Sequence, residues 1–339
     1  MPVMVSNWQV VTLIAMTFTV TMIITPYIID RMRRAGILGV DVNKRHKPRV
    51  PEMCGVAGII SFAICGGVMA VVTRIVGNGS ESDAIMAALC AMALAGMVGI
   101  IDDLYGMRRW KKAIYVCIAG MPLAILGLGE PVIELPGYTI DFSMMPWVFW
   151  LILVPIGVTG VANAINMSAG YNGLETGEMA IISLFLLAIS FIRDPSNPAI
   201  LIFAMILGSS IGMYFYNRYP ARMFVGDVGT LGMGAGIAAG VIIGGLEFYG
   251  VICIIPAFYE LAATLYARSK GVERRDSVMK PIILKNGKIV PRKGTGWYTL
   301  FFRILSVRPM RERQLVACIL GLYAIAGSCA LGVSIFFPG

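Results

Sequence analysis

The chain has 339 residues, of which 58% are hydrophobic and 14% charged; its mean hydropathy is +0.79 and its formal net charge +9. A soluble domain is nearer half apolar and a quarter charged, so the composition excludes one and points to a polytopic membrane protein. It does not suggest a disulfide framework, because six of the seven cysteines fall inside apolar runs, and the single histidine, His46, cannot build a zinc site.

Apolar runs long enough to cross a bilayer lie near 8–28, 54–76, 84–101, 113–129, 146–164, 179–193, 198–216, 229–246, 248–267 and 314–337. The first is too long for a signal peptide and has no small-residue cleavage site, so it reads as a retained helix. These runs predict an all-α membrane protein of about ten helices, a single domain over 1–339 with both termini outside. On that topology every Lys and Arg except Arg74 and Arg193 falls at the inner face, as the positive-inside rule requires. The outer loops carry acids instead, and the Asn78-Gly-Ser80 sequon in one of them lies too near the membrane for glycosylation. The concentrated positive charge points to anionic partners, lipid headgroups or nucleotide phosphates, and away from nucleic acid, since no soluble basic domain is present.

The inner loops hold the chemistry. Segment 36–55 mixes Pro, Gly and charge and reads as an ordered loop, with His46 in a solvated basic run and Cys54 at its edge without a partner. In 99–112, Asp102 and Asp103 end an apolar run, followed by Arg108, Arg109, Lys111 and Lys112. Anchoring at the inner face explains the cations, but two acids at an apolar boundary are costly without a task. Adjacent acids suit a divalent cation, and nearby cations suit phosphate oxygens.

Residues 163–177 carry almost no charge and interleave Asn163, Asn166 and Asn172 with Gly170, Gly173 and Gly177. Glycine lets the backbone approach a ligand, and a carboxamide both donates and accepts. Asp227 stands where the eighth run begins, as an N-cap, a functional acid, or both. The glycines of 232–240 follow no strand and read as helix packing, not a dinucleotide fingerprint. Segment 268–313 holds thirteen Lys or Arg, and its Lys285-Asn-Gly-Lys288 predicts a small β-hairpin and a possible substrate-recognition subdomain.

Together the motifs resemble the polyprenyl-phosphate N-acetylhexosamine-1-phosphate transferase superfamily, and most closely its eukaryotic and archaeal dolichyl-phosphate branch. The matching stretches are Ile101-Asp-Asp103 with Lys112, Asn163-Ala-Ile-Asn-Met-Ser-Ala-Gly-Tyr-Asn-Gly-Leu-Glu175, Phe224-Val-Gly-Asp227, and Val50-Pro-Glu52 with Gly55. They follow the family order across nearly the whole chain. The resemblance implies ten helices and an inner-face active site, with Asp102 and Asp103 as the acidic pair and Lys112 gripping the diphosphate. It implies Asn166 and Asp227 as ligands of Mg²⁺, with Mn²⁺ a substitute. Gly170 and Asn172 would take uracil, Phe224 would stack on it, and Glu52 would lie beside the nucleotide. Arg274, Arg275 and Trp110 are the candidates for the sugar and its phosphate, although the two arginines do not align with the family's Arg-rich motif.

The implied reaction moves N-acetylglucosamine-1-phosphate from UDP-GlcNAc to dolichyl or another polyprenyl phosphate and releases UMP. This is the first step of lipid-linked oligosaccharide synthesis for N-glycosylation, at an archaeal plasma membrane or the ER membrane, facing the cytoplasm. Bacterial members carry aspartates where this chain has Ala169 and Asn172, which argues against an undecaprenyl-phosphate enzyme of cell-wall synthesis. A secondary transporter would place its acids near the midplane and show internal repeats, and neither is present. A homodimer is compatible with the sequence, but no interface is legible in it.

Overall fold

The computed structural model describes residues 7–272, 281–284, 286–291 and 299–336. In chain order, α1 (Asn7–Arg34) leads to the antiparallel pair β1 (Leu38–Val40) and β2 (Arg49–Pro51), in register Gly39↔Val50. Helices α2 (Val56–Ile75) and α3 (Gly79–Tyr105) follow, then α4 (Arg109–Cys117), a 3-10 turn at Ile118–Gly120, and α5 (Met121–Leu126). A second hairpin, β3 (Val132–Leu135) with β4 (Tyr138–Asp141), precedes α6 (Pro146–Val148), a π turn and α7 (Val154–Ser168). Helices α8 (Leu174–Arg193), α9 (Ala199–Asn217), α10 (Gly226–Ile243) and α11 (Glu247–Ser269) come next. The chain then forms β5 (Ile282–Ile283), β6 (Ile289–Val290), α12 (Leu300–Val307) and α13 (Glu312–Phe336).

Nine helices among the described residues are long and apolar enough to cross a membrane, and the protein is an integral membrane protein. The count differs from ten at one place. The apolar run 113–129 does not form one helix, because Pro122 has no N–H to return to Ile118 and its ring displaces that carbonyl. The run folds as α4, the 3-10 turn and α5 in succession. Those eighteen residues would rise about 27 Å as continuous α-helix, close to the ~30 Å of a hydrocarbon core. The hairpin expected in the last long loop is present as β5–β6. Segment 36–55 is more regular than an ordered loop, since β1 and β2 pair within it.

Helix α10 is the axis of the bundle, packed by α2, α3, α7, α8 and α9. Small residues let it be so enclosed. A Cβ on Gly232 would meet the Met92 carbonyl at 3.0 Å, and one on Gly240 would meet the Phe203 ring at 2.8 Å, so the glycine run is a packing surface. Helix α1 packs on α9 through a buried stripe of Thr17, Thr21 and Thr25. Each hydroxyl donates at 2.7 Å to the carbonyl four residues back, which leaves no orphaned donor in an apolar setting. Helices α11 and α13 close the other flank against α7 and α8. At one end of the bundle α3, α7 and α11 finish while α4, α8, α10 and α13 begin.

Candidate active site

That end encloses a cavity of about 750 Å³, lined among others by Glu52, Asp102, Trp110, Lys112, Asn166, Asn172, Phe224, Asp227 and Arg268. Its foot is built around one ammonium group. Lys112 Nζ, on α4, donates to Asp102 Oδ2 at 2.8 Å, to Asn166 Oδ1 at 3.0 Å and to Asp227 Oδ2 at 2.5 Å. The lysine side chain is 6% exposed, Asp102 is 10% exposed and Asp227, which opens to the cavity, 30%. Asn166 Nδ2 in turn donates to Asp227 Oδ1 at 2.7 Å and to Thr230 Oγ1 at 2.8 Å. Four residues from α3, α4, α7 and α10 are thus locked by charge-assisted hydrogen bonds.

The second acid of the pair points elsewhere. Asp103 accepts the backbone N–H groups of Asp227 and Val228 at 2.9 and 3.0 Å. Asp227 therefore does not cap its own helix, and Val225 supplies no side-chain cap. The cap comes from α3.

One wall of the cavity is the turn between α7 and α8. Gly170 and Gly173 adopt φ of +139° and +88°, which a side chain rarely permits, and the turn lets the chain double back into α8. Asn43 Nδ2 donates to the Gly170 carbonyl at 2.7 Å, Asn172 Nδ2 to Asp41 Oδ2 at 3.0 Å, and the Asn172 N–H to Glu312 Oε1 at 2.9 Å. Lys44 completes this strap by pairing with Asp41 at 3.2 Å and with Glu312. The opposite wall joins β2 to the 220s: Phe224 N–H donates to the Pro51 carbonyl at 2.7 Å and Cys54 N–H to the Phe224 carbonyl at 3.0 Å. A Cβ on Gly39 would meet Glu52 Oε2 and Phe224 Cδ2, each at 2.8 Å, so the glycine makes room for both to reach the cavity.

Burial first, and the negative charge of Asp227 second, hold the Glu52 carboxyl above the usual carboxylate range. Burial, with Glu52 beside it, pushes the Cys54 thiol up to about 12, so that cysteine is inert at neutral pH. Asp102 and Asp227 share the one Lys112 ammonium, and Glu52, Arg108 and Arg268 line the same cavity. Among the described residues no three His, Cys, Asp or Glu form a metal cluster. The convergent donors are instead two carboxylates and the Asn166 carboxamide, all hard oxygens.

Residues 85–245, from α3 through the end of α10, match the family described as glycosyl transferase family 4. A Methanocaldococcus jannaschii protein named "Putative glycosyltransferase" is 30% identical over 287 residues, 84% of this chain and 84% of that protein. The chain belongs to glycosyl transferase family 4. A Saccharolobus solfataricus protein named "Putative UDP-N-acetylglucosamine--dolichyl-phosphate N-acetylglucosaminephosphotransferase" is 28% identical over 92% of both chains. A Streptococcus mutans phospho-N-acetylmuramoyl-pentapeptide-transferase is 28% identical over 66% of this chain and 69% of its own.

In this transferase Asp102, Lys112, Asn166 and Asp227 converge, and Glu52, Trp110, Gly170, Asn172 and Phe224 line the same cavity. Asp103 reaches it only through the α10 backbone. Arg274 and Arg275 lie outside the described residues. Sequence reasoning passed over Asp41, Asn43, Lys44 and Glu312, which tie the strap; Glu312 stands between Arg311 and Arg313 at the edge of an apolar run and was hidden in that charge cluster. It also passed over Arg311 and Arg313 themselves, which with Arg45 and His46 line a second cavity of about 570 Å³ that shares Asn43 with the first.

Proposed function

We propose that the chain transfers N-acetylglucosamine-1-phosphate from UDP-GlcNAc to dolichyl or another polyprenyl phosphate, giving the lipid diphosphosugar and UMP. The observation that carries this reading is Lys112 held between Asp102, Asn166 and Asp227 at the foot of a cavity large enough for a nucleotide sugar. The relative from S. solfataricus bears the name of this activity over 92% of both chains.

A phosphate oxygen of the acceptor attacks the β-phosphorus, and the bond from that phosphorus to the oxygen bridging to UMP breaks. A phosphate monoester is largely dianionic near pH 7, with a second pKa of about 6, so the attack needs no strong general base. The work of the protein is placement and charge. Lys112 stands in a site that shields it from water and exchanges one of its three side-chain acceptors for a phosphoryl oxygen as charge develops there. Asp102 keeps that ammonium charged and aimed, and Asn166 fixes the Asp227 carboxylate. Asn172, Gly170 and Phe224 hold the uridine end, with Glu52 beside it. Trp110 and the arginines of the last long loop take the sugar and its phosphate.

The hard oxygens of Asp227 and Asn166, beside the second carboxylate of Asp102, fit a divalent cation such as Mg²⁺. When bound, that cation would neutralise phosphate charge. The cytoplasmic orientation of the site is supported by the basic residues gathered at its end of the bundle, with only Arg74 and Arg193 among the described residues at the other.

Release of UMP by the purified protein, given UDP-GlcNAc, dolichyl phosphate and Mg²⁺, tests the reading. Product is expected only with lipid phosphate and metal, lost with EDTA and in Asp227→Asn. The S. mutans relative favours a second reading, in which UDP-MurNAc-pentapeptide and undecaprenyl phosphate are the substrates. UMP release from that pair alone would select it. Release from no UDP-sugar would end both.

A further inference from the structure

Asp102 and Asp103 are neighbours on the last turn of α3, and successive residues of an α-helix point about 100° apart. The divergence gives them different partners. Asp102 lines the cavity, takes Lys112 on Oδ2 and receives the Met107 N–H on Oδ1 at 2.5 Å. Asp103 is not among the residues that line the cavity, and each of its oxygens is engaged by an α10 backbone N–H, those of Asp227 and Val228. The first N–H groups of a helix have no partner within it and carry its positive partial charge, so a carboxylate that receives two of them is held by geometry and by charge.

The surroundings pack closely around this arrangement. A Cβ on Gly99, one turn before Asp103, would meet the carbonyl oxygen of Asp227 and the Cα of Val228 at 2.5 Å, so α3 touches the α10 backbone where the cap forms. A Cβ on Gly226 would meet Asp103 Oδ2 at 2.8 Å, and that glycine has φ +71°. The carboxylate fills the space a side chain at 226 would take.

We propose that Asp103 is a positioning residue. It caps α10 from α3 and thereby fixes the backbone of Asp227, while touching neither substrate nor cation. The inference rests on the reading of Asp227 given above and divides the labour of the acidic pair. Asp102 acts on the reacting atoms through Lys112, and Asp103 acts only through Asp227. Groups that orient a metal ligand typically matter by about 10–100-fold in metal affinity or activity. Asp103→Asn keeps the shape but loses the charge, and its Nδ2 turns a donor toward an N–H.

The test uses full-length protein in lipid nanodiscs, with Asp103→Asn, Asp102→Asn, Asp227→Asn and the Asp103→Asn/Asp227→Asn double variant. Hydrogen exchange, without substrate or metal, is expected to rise in Asp103→Asn at the amides of Asp227 and Val228, while α1, α9 and α13 stay as in the wild type. The Mg²⁺ concentration for half-maximal UMP release should rise about 10–100-fold with the maximal rate recovered at saturation, a recovery that Asp102→Asn does not show. In the Asp227→Asn background the second change should alter the residual rate less than about twofold, because positioning acts through the missing carboxylate. Unchanged exchange at 227 and 228, or a maximal rate that no Mg²⁺ concentration restores, would overturn the proposal. Asp103→Ser, which keeps one short acceptor, serves if Asp103→Asn fails to fold and carries the same expected signs. Because exchange needs no turnover, a wild type that releases no UMP would defeat the functional reading and leave the cap still tested.

Discussion

A Cβ on Gly99 would lie 2.5 Å from the carbonyl oxygen of Asp227, so the backbones of α3 and α10 meet directly where α10 begins. No other residue type leaves that contact intact. Gly99→Ala is expected to destabilise the protein by about 1–3 kcal/mol, the usual range for overpacking a close-packed interior, and to depress turnover by shifting Asp227. A thermal melt in detergent, paired with UMP release, checks both; a variant as stable and active as the wild type would remove the backbone contact from the argument.

Lys112 carries a different expectation. Truncation to Met leaves Asp102 and Asp227 without their ammonium, and breaking a buried pair costs about 3–5 kcal/mol. The loss here should be smaller, since the Asp227 side chain is 30% exposed. Turnover should fall about 10²–10³-fold, the scale for losing one preorganised electrostatic donor. Lys112→Arg should rescue little, because a planar guanidinium cannot point at three oxygens gathered around one ammonium. Single-turnover rates at saturating Mg²⁺ decide the matter.

Glu52 sets a pH-dependent expectation. Its carboxyl titrates above its ordinary 4.5 in the folded protein, through burial and then through Asp227. The folded state therefore favours the protonated form, and that contribution is complete below the unfolded value and lost as pH rises through the folded one. Glu52→Gln mimics the protonated group. It should melt with the wild type near pH 4 and above it near pH 8. A variant less stable than the wild type at pH 8 would contradict the sign.

Asn172→Asp brings a carboxylate against Asp41, whose Oδ2 lies 3.0 Å from Asn172 Nδ2. Both residues are buried. Replacing a buried donor by a like charge should cost at least about 1–3 kcal/mol and loosen the strap. The KM for the nucleotide sugar should rise roughly tenfold or more, with kcat less affected. A change confined to kcat would place Asn172 nearer the reacting atoms than the strap does.

Much of this was legible in the sequence, and for physical reasons. Helix positions follow from uninterrupted apolar runs, and the site loops stand out because Asp102 and Asp227 are acids at a membrane boundary and because Asn166 lies in a nearly uncharged loop of interleaved Asn and Gly. The broken crossing was less visible, since hydropathy averages over Pro122 while hydrogen bonding does not. Hairpin β3–β4 went unread although Leu135-Pro-Gly-Tyr138 carries a turn signal, because its acids were read only as markers of the outer side. The different partners of Asp102 and Asp103 could not be read, as direction on a helix has meaning only once its neighbour is known. Lys44 and Glu312 were hidden for the same reason, each looking like one more charge in a basic loop until packed against the other.

The strap that joins Asn172 to Glu312 crosses 140 residues of sequence. At roughly 5–20 residues per second of synthesis, a growing chain waits on the order of ten seconds between making the asparagine loop and making its acidic partner. During that interval Asp102, Lys112, Asn166 and Asp227 can already be inserted and paired, while the wall beside them has no anchor on α13. The Lys112 cluster can thus form early in biogenesis, whereas the wall that carries Asn172 gains its α13 anchor only with the last helix.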